Sequence, residues 1–159
     1  LFTLPDTKSK VLPSPEHICV VVEDIEKASK FFSSIWGLGP WQVMDYIPSR
    51  HEVTVGPFPM SERWALAKLE PLVLELIQPL TGNTVWAKFL EEHGEGLHHI
   101  AFSIPDYDGM VTKLEKQGSQ VVFANSLHGK RSCYIQTKPG GLMLEFAEAG
   151  IHKDYYKRF

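Results

Sequence analysis

Two stretches of the chain, one near its start and one past its middle, repeat the same residue pattern. In each, a histidine leads an apolar run with alternating faces that closes on an aspartate seven residues later: residues 16–24 read EHICVVVED and residues 98–106 read HHIAFSIPD. The closing residues, Asp24 and Asp106, precede apolar residues at helical spacing, and aspartate is a favoured helix N-cap. The repeat predicts a chain built from two similar modules.

A second pair of matching segments lies later in each half. Residues 72–76 read LVLEL and residues 142–146 read LMLEF, so each places one glutamate, Glu75 or Glu145, inside an apolar strand. Glycine and proline punctuate the strand-like runs between these markers. Those runs are residues 41–46, 64–69, 121–123 and 132–136. Each half therefore predicts a strand, a helix and about three further strands.

The chain has no flexible linker or low-complexity tract between its halves. Its 159 residues are about the length of one domain, and they suffice to bury a core. We therefore predict a single domain over residues 1–159. Module one spans about residues 14–80, a short helix over 85–92 joins the halves, module two spans about 96–149, and a tail follows over 150–159.

Composition excludes several classes of partner. The formal net charge is −3, which argues against a nucleic-acid-binding face, and the longest apolar run, at 18–22, is far too short for a membrane span. Residues 1–15 lack the apolar core of a signal peptide. Cys19 and Cys133 make no disulfide framework. We expect a cytoplasmic protein with neither a nucleic-acid nor a membrane partner.

The alternation of strand side chains decides where the repeated histidines point. In residues 17–22 the bulky side chains at 18, 20 and 22 share one face, so His17 takes the other. In residues 99–104 the bulky side chains are at 100, 102 and 104, so His99 takes the other face and His98 falls with the bulky set. The bulky faces predict packing against helices, which favours His99 over His98 as a functional residue.

The two strand glutamates belong to the same argument, because a carboxylate in an apolar strand is costly unless it is paired or metal-bound. Taken singly, a histidine at a strand start is typical of a structural residue, and a strand glutamate of a solvated face. The matched arrangement in two halves instead favours one shared site. Two imidazoles and two carboxylates suit a first-row divalent metal with positions left for water or substrate. The candidates are His17, Glu75, His99 and Glu145.

These residues resemble the vicinal oxygen chelate superfamily, which includes glyoxalase I, methylmalonyl-CoA epimerase, extradiol dioxygenases and bleomycin-resistance proteins. The resemblance covers nearly the whole chain. Residues 89–102, with the phrase GLHHI at 96–100, are most similar to methylmalonyl-CoA epimerase, and the stretch PGGLMLEF at 139–146 fits the superfamily's closing strand.

The resemblance implies an α+β fold in which two βαβββ modules form a cupped mixed sheet around a metal site. It implies one divalent transition metal, such as Co, Ni, Zn or Mn, as cofactor, and it makes a homodimer an expectation because relatives are often dimers. The superfamily's ligand pattern falls on His17, Glu75, His99 and Glu145.

The middle of the chain departs from the epimerases. They carry an acidic segment between the second and third strands that supplies a second catalytic carboxylate, and residues 46–59 here read YIPSRHEVTVGPFP. Glu52 or His51 is the candidate for that second acid or base. The turn GLGPW at 37–41 is also unlike the epimerases, which indicates a sister group with another substrate.

The function that the resemblance implies is a metal-dependent epimerase or isomerase acting through an enolate on a small-molecule acyl-CoA thioester, such as methylmalonyl-CoA, with Glu145 as both ligand and base. A glyoxalase I-like lactoylglutathione lyase is the first alternative, because it shares the four-ligand set. An extradiol dioxygenase needs a two-His, one-carboxylate triad, and Glu75 would occupy a position it needs. A non-catalytic binding protein, like the bleomycin-resistance members, generally lacks the ligand set.

Overall fold

The computed structural model describes residues 12–138, 140–152 and 156. Within these residues the chain order repeats a strand–helix–strands unit twice. The first unit consists of β1 (His17–Val21), α1 (Ile25–Trp36), β2 (Gln42–Tyr46), β3 (Val53–Val55), β4 (Ser61–Leu69) and β5 (Leu72–Thr81). Helix α2 (Val85–His93) follows, and the second unit consists of β6 (Gly96–Ile104), α3 (Tyr107–Lys116), β7 (Gln120–Leu127), β8 (Lys130–Gln136) and β9 (Met143–Glu148).

The described strands form one curled, nine-stranded mixed sheet with the order β2-β4-β5-β1-β6-β9-β8-β7-β3. The first strand of each unit pairs in parallel with the last strand of that unit, β1 with β5 and β6 with β9. The two first strands, β1 and β6, pair antiparallel at the centre. The predicted α+β architecture of two modules in one cupped sheet is confirmed. Strand β3, which the sequence analysis did not predict, leaves its own module and pairs with β7 at the far edge.

The helices begin where the capping residues predict. Asp24 accepts a hydrogen bond from the backbone N–H of Lys27, and Asp106 accepts one from Gly109. Thr84 caps α2 through the N–H of Ala87. Among the described residues, no helix is long and apolar enough to cross a membrane.

The two faces of the sheet are used differently. The bulky residues of β1 and β5 pack against α1, as Leu74 and Leu76 do, and those of β6 and β9 pack against α3, as Phe102 and Phe146 do. The opposite, concave face holds a separate cluster in which Cys19 is fully buried. The fold therefore directs the alternate residues of the four central strands into the interior of the cup.

Candidate metal centre

Four buried side chains meet inside the cup. His17, Glu75, His99 and Glu145 come from β1, β5, β6 and β9, which are consecutive in the sheet. The strand register brings them together, because Cys19 lies opposite both Glu75 and His99. All four predicted ligands are therefore placed together, two from each module.

The distances that join the two histidines to each other and to the two glutamates are close to those between ligands around one cation. Nε2 of His17 lies 3.3 Å from Oε2 of Glu75 and 3.2 Å from Oε2 of Glu145. Nε2 of His99 lies 3.6 Å and 3.3 Å from the same two oxygens, and the two Nε2 atoms are 3.2 Å apart. Ligand atoms held about 2.1 Å from a central metal lie roughly 3.0–3.4 Å from one another.

The polar atoms of the cluster are also of the kind that bind a cation. Oε2 of Glu75 is buried and makes no well-formed hydrogen bond within the described residues, and its neighbours are the imidazole nitrogens of His17 and His99 at 3.3 Å and 3.6 Å. Two nitrogens and two carboxylate oxygens are the donor set of a first-row divalent metal. These residue types fit such an ion. His17, His99 and Glu145 form one compact group of potential ligand atoms, and Glu75 forms a second such group with His99 and Cys19.

The cluster holds its carboxylates ionised. Burial alone would raise the pKa of Glu145, but His152, His17 and His99 together hold it well below its usual value. Burial is likewise outweighed at Glu75, where His17 and His99 lower the pKa. At His17 burial opposes the charged form, yet the two glutamates raise its pKa to about 10. A metal that binds here therefore has to displace a proton from His17.

His98 lies behind His99 rather than in the ligand cluster. Nδ1 of His98 is 2.9 Å from Nδ1 of His99, and burial, together with His99, lowers the pKa of His98 to about 3. Neutral His98 can therefore accept a hydrogen bond from the Nδ1–H of His99, which leaves Nε2 of His99 free for a metal. This placement agrees with the sequence-based preference for His99 and explains why a second histidine precedes it.

Two side chains beyond the second module contact the ligands, and the sequence analysis missed both. The hydroxyl of Tyr156 lies 2.6 Å from Nδ1 of His17. His152 places Nε2 3.2 Å from Oε1 of Glu145 and Nδ1 2.7 Å from Oε2 of Glu16. Neither residue has a counterpart in module one, so the repeat that located the ligands gave no signal for them.

A further buried carboxyl, Glu62, was also missed. It lies on the same face of β4 as Trp64 and Leu66, and its Oε2 accepts a hydrogen bond from Nε1 of Trp64 at 3.0 Å. Its Oε1 has no partner within the described ranges. Burial, reinforced by the charges of Glu75 and Glu145, raises its pKa to about 8. The signal that could have found it is the one that found Glu75, a glutamate inside a strand.

Glu52 and His51 lie elsewhere. Oε2 of Glu52 accepts a hydrogen bond from the backbone N–H of Ser49 at 2.7 Å and another from the Ser49 hydroxyl, and these bonds lower its pKa. The hydroxyl of Ser49 also lies 3.2 Å from Nε2 of His51. Neither Glu52 nor His51 is among the described residues that line the cavity beside the ligands.

That cavity measures about 30 Å³, room for one or two water molecules. Its polar wall includes Asn125, whose amide donates to the hydroxyl of Tyr46 at 2.8 Å and accepts from Ser132. The full lining comprises His17, Trp64, Leu66, Glu75, Asn125, Leu127, Ser132, Tyr134, Glu145, Ile151, His152 and Tyr156.

Comparison with known proteins decides the family. The model of the Glyoxalase/Bleomycin resistance protein/Dioxygenase superfamily matches residues 16–136. The chain belongs to this superfamily. Human mitochondrial methylmalonyl-CoA epimerase is 27% identical over 139 residues, which cover 84% of this chain and 72% of the relative. The uncharacterised protein YqjC of Bacillus subtilis is 28% identical over 137 residues, 84% of this chain and 90% of that protein. The resemblance stated from the sequence is confirmed.

Solved structures agree on the fold. Methylmalonyl-CoA epimerase from Mycobacterium tuberculosis superposes with a TM-score of 0.67 at 23% identity, covering 95% of this chain and 97% of that one. A variant of the Streptomyces coelicolor epimerase in complex with 2-nitronate-propionyl-CoA gives 0.64 at 22% identity, covering 87% and 99%. The curled mixed sheet is therefore the superfamily fold.

Proposed function

We propose that the protein is a divalent-metal-dependent epimerase or isomerase that acts through an enolate on an acyl-CoA thioester such as methylmalonyl-CoA. The observation that carries the proposal is the convergence of His17, Glu75, His99 and Glu145 at ligand spacing. The curated relatives named as methylmalonyl-CoA epimerases support the reaction and the substrate class.

A proton next to a thioester carbonyl is weakly acidic, so its removal needs both a base and stabilisation of the charge that develops on oxygen. A divalent cation held by the four ligands would stabilise that charge, as a Lewis acid at the carbonyl oxygen. Glu145 would act as the base. Its low pKa keeps it ionised, so that it can accept the α-proton while the electron pair of the C–H bond moves toward the carbonyl.

Inversion also requires a proton donor on the opposite face of the planar enolate. Glu62 meets the chemical requirement, because a pKa of about 8 keeps its carboxyl protonated at neutral pH. Its strand neighbours on the same face, Trp64 and Leu66, line the cavity. We propose Glu62 for this role in place of Glu52: neither side chain lines the cavity, but Glu52 is bonded to Ser49, which lowers its pKa and keeps it ionised.

A matched set of three conservative variants tests these roles. In D₂O, with one epimer of methylmalonyl-CoA and metal-reconstituted protein, Glu145→Gln should lower α-proton exchange by about 10²–10⁴-fold. Glu62→Gln should lose inversion yet retain exchange from the face that Glu145 serves. Glu52→Gln is the control and should behave as the wild type. NMR for exchange and chiral analysis for inversion give the two readouts.

Two results would redirect the assignment. Near-normal exchange in Glu145→Gln would remove that residue from the mechanism, and loss of inversion in Glu52→Gln alone would restore the sequence-based candidate.

The rival lyase predicts product only when methylglyoxal and a thiol are both supplied. Oxygen uptake with a catechol would favour the dioxygenase, although Glu75, 3.3 Å from His17, would as a fourth ligand occupy a position that this reaction needs. Elemental analysis of the purified protein identifies the metal.

The cavity of about 30 Å³ beside the ligands is lined by side chains from both modules and from beyond β9. Three of them, Ile151, His152 and Tyr156, follow β9 and lie outside both modules. Two of these side chains, His152 and Tyr156, also contact the proposed metal ligands.

A further inference from the structure

Two residues that follow β9, His152 and Tyr156, contact the metal centre from outside the repeat. His152 contacts Glu145, a ligand from module two, and Tyr156 contacts His17, a ligand from module one. His99 receives the equivalent contact from its sequence neighbour His98, within the module. The C-terminal residues thus serve one ligand of each module.

His152 bridges two carboxylates. Its Nε2 lies 3.2 Å from Oε1 of Glu145 and its Nδ1 lies 2.7 Å from Oε2 of Glu16. The ring is therefore held at both ends by a carboxylate contact. Because Oε1 of Glu145 is engaged in this way, Oε2 is the oxygen left facing the two ligand histidines at 3.2 Å and 3.3 Å.

Tyr156 fixes the other ligand. With Nε2 of His17 inside the ligand cluster, a metal-binding tautomer carries its proton on Nδ1, and that N–H donates to the Tyr156 oxygen over 2.6 Å. Outer hydrogen bonds of this kind orient a ligand ring, select its tautomer and raise its basicity.

We infer that His152 and Tyr156, which lie beyond the second module, are positioning residues of the metal centre. The inference rests on the proposed metal-dependent function. Loss of an outer partner typically weakens metal affinity by about 10–100-fold. The competing interpretation is a plug, in which both side chains only fill the cavity and are displaced by substrate, with no effect on metal binding.

Metal affinity separates the two interpretations without any measurement of turnover. Full-length protein stripped of metal is titrated with Co²⁺, and binding is followed by the visible absorption of the ion. We expect His152→Ala and Tyr156→Phe each to raise the Kd by about 10–100-fold and to alter the Co²⁺ spectrum. The exposed His93 at the end of α2 supplies the control, His93→Ala, which should match the wild type.

Two conservative variants control for a loss of folding. Tyr156→Phe removes a single oxygen, and its metal-free Tm should equal that of the wild type. His152→Gln keeps a side-chain N–H for Glu145 and should recover part of the affinity lost in His152→Ala.

An unchanged Kd in both His152→Ala and Tyr156→Phe overturns this inference alone, and an accompanying fall in KM would identify the plug. Failure of the wild type itself to bind a stoichiometric ion overturns this inference together with the proposed metal centre.

Discussion

At the scale of single residues, the interior of the cup holds three glutamates in unlike states. Glu75 and Glu145 face histidines that lower their pKa, whereas the pKa of Glu62 rises to about 8 because it is buried near the negative charges of Glu75 and Glu145, although it accepts a hydrogen bond from the indole N–H of Trp64. The same residue type is thus prepared for two tasks: ionised carboxylates for metal binding and proton abstraction, and a neutral carboxyl that can donate.

The pKa of Glu62 carries a prediction about stability. Between its ordinary value of 4.5 and about 8, folded protein retains a proton that unfolded protein has lost, so the free energy of unfolding falls as pH rises through this window. Glu62→Gln removes this proton uptake. The free energy of unfolding of the variant minus that of the wild type should therefore increase from pH 5 to pH 8, by at most about 1.4 kcal/mol per pH unit.

Urea denaturation of both proteins across that range measures the difference, and groups common to the two proteins cancel from it. A difference that stays flat with pH would mean that the Glu62 carboxyl is ionised throughout, and it would then be unable to act as the proposed acid.

At the scale of elements, helices and site occupy opposite faces of the sheet. Helix α1 packs on the convex face, and its N-terminus depends on Asp24, whose Oδ1 accepts from the N–H of Lys27 at 3.0 Å. Asp24→Ala should lower the free energy of unfolding by about 1 kcal/mol and leave the Kd for Co²⁺ unchanged, because the cap contacts no ligand. Asp24→Asn keeps the cap and is the control. A weakened Kd in Asp24→Ala would show that the two faces are coupled.

The strand pattern of the sequence predicts where the four candidate ligands point, but it does not predict every strand or its partner. Alternation along single strands sufficed to direct His17, Glu75, His99 and Glu145 to one face, because that parity is local and the repeat supplied two copies of it. The sequence analysis missed the start of β4, because Ser61, Glu62 and Arg63 interrupt the apolar pattern. For this reason it also missed Glu62 as a candidate site residue. The pairing of β3 with β7 could not be predicted, since a three-residue strand carries no information about a partner so distant in sequence.

At the scale of the whole molecule, a bound cation would link the two modules. Each module contributes one histidine and one glutamate, and β1 and β6 meet at the centre of the sheet. His152 and Tyr156 provide a second set of contacts between the modules. Tyr156 contacts His17 of module one, and His152 contacts both Glu16, which precedes β1, and Glu145 on β9.

Metal should therefore stabilise the entire fold. An ion that binds only folded protein adds about 2.7 kcal/mol to the free energy of unfolding when its concentration is 100 times the Kd. Denaturation with and without Co²⁺ should show this increase in the wild type and in His93→Ala. It should be largely lost in His17→Ala at the same Co²⁺ concentration, because that variant removes a ligand from the central strand. An equal increase in His17→Ala would place the ion elsewhere, and the four side chains would then be a buried ion-pair network that holds the two modules together without a metal.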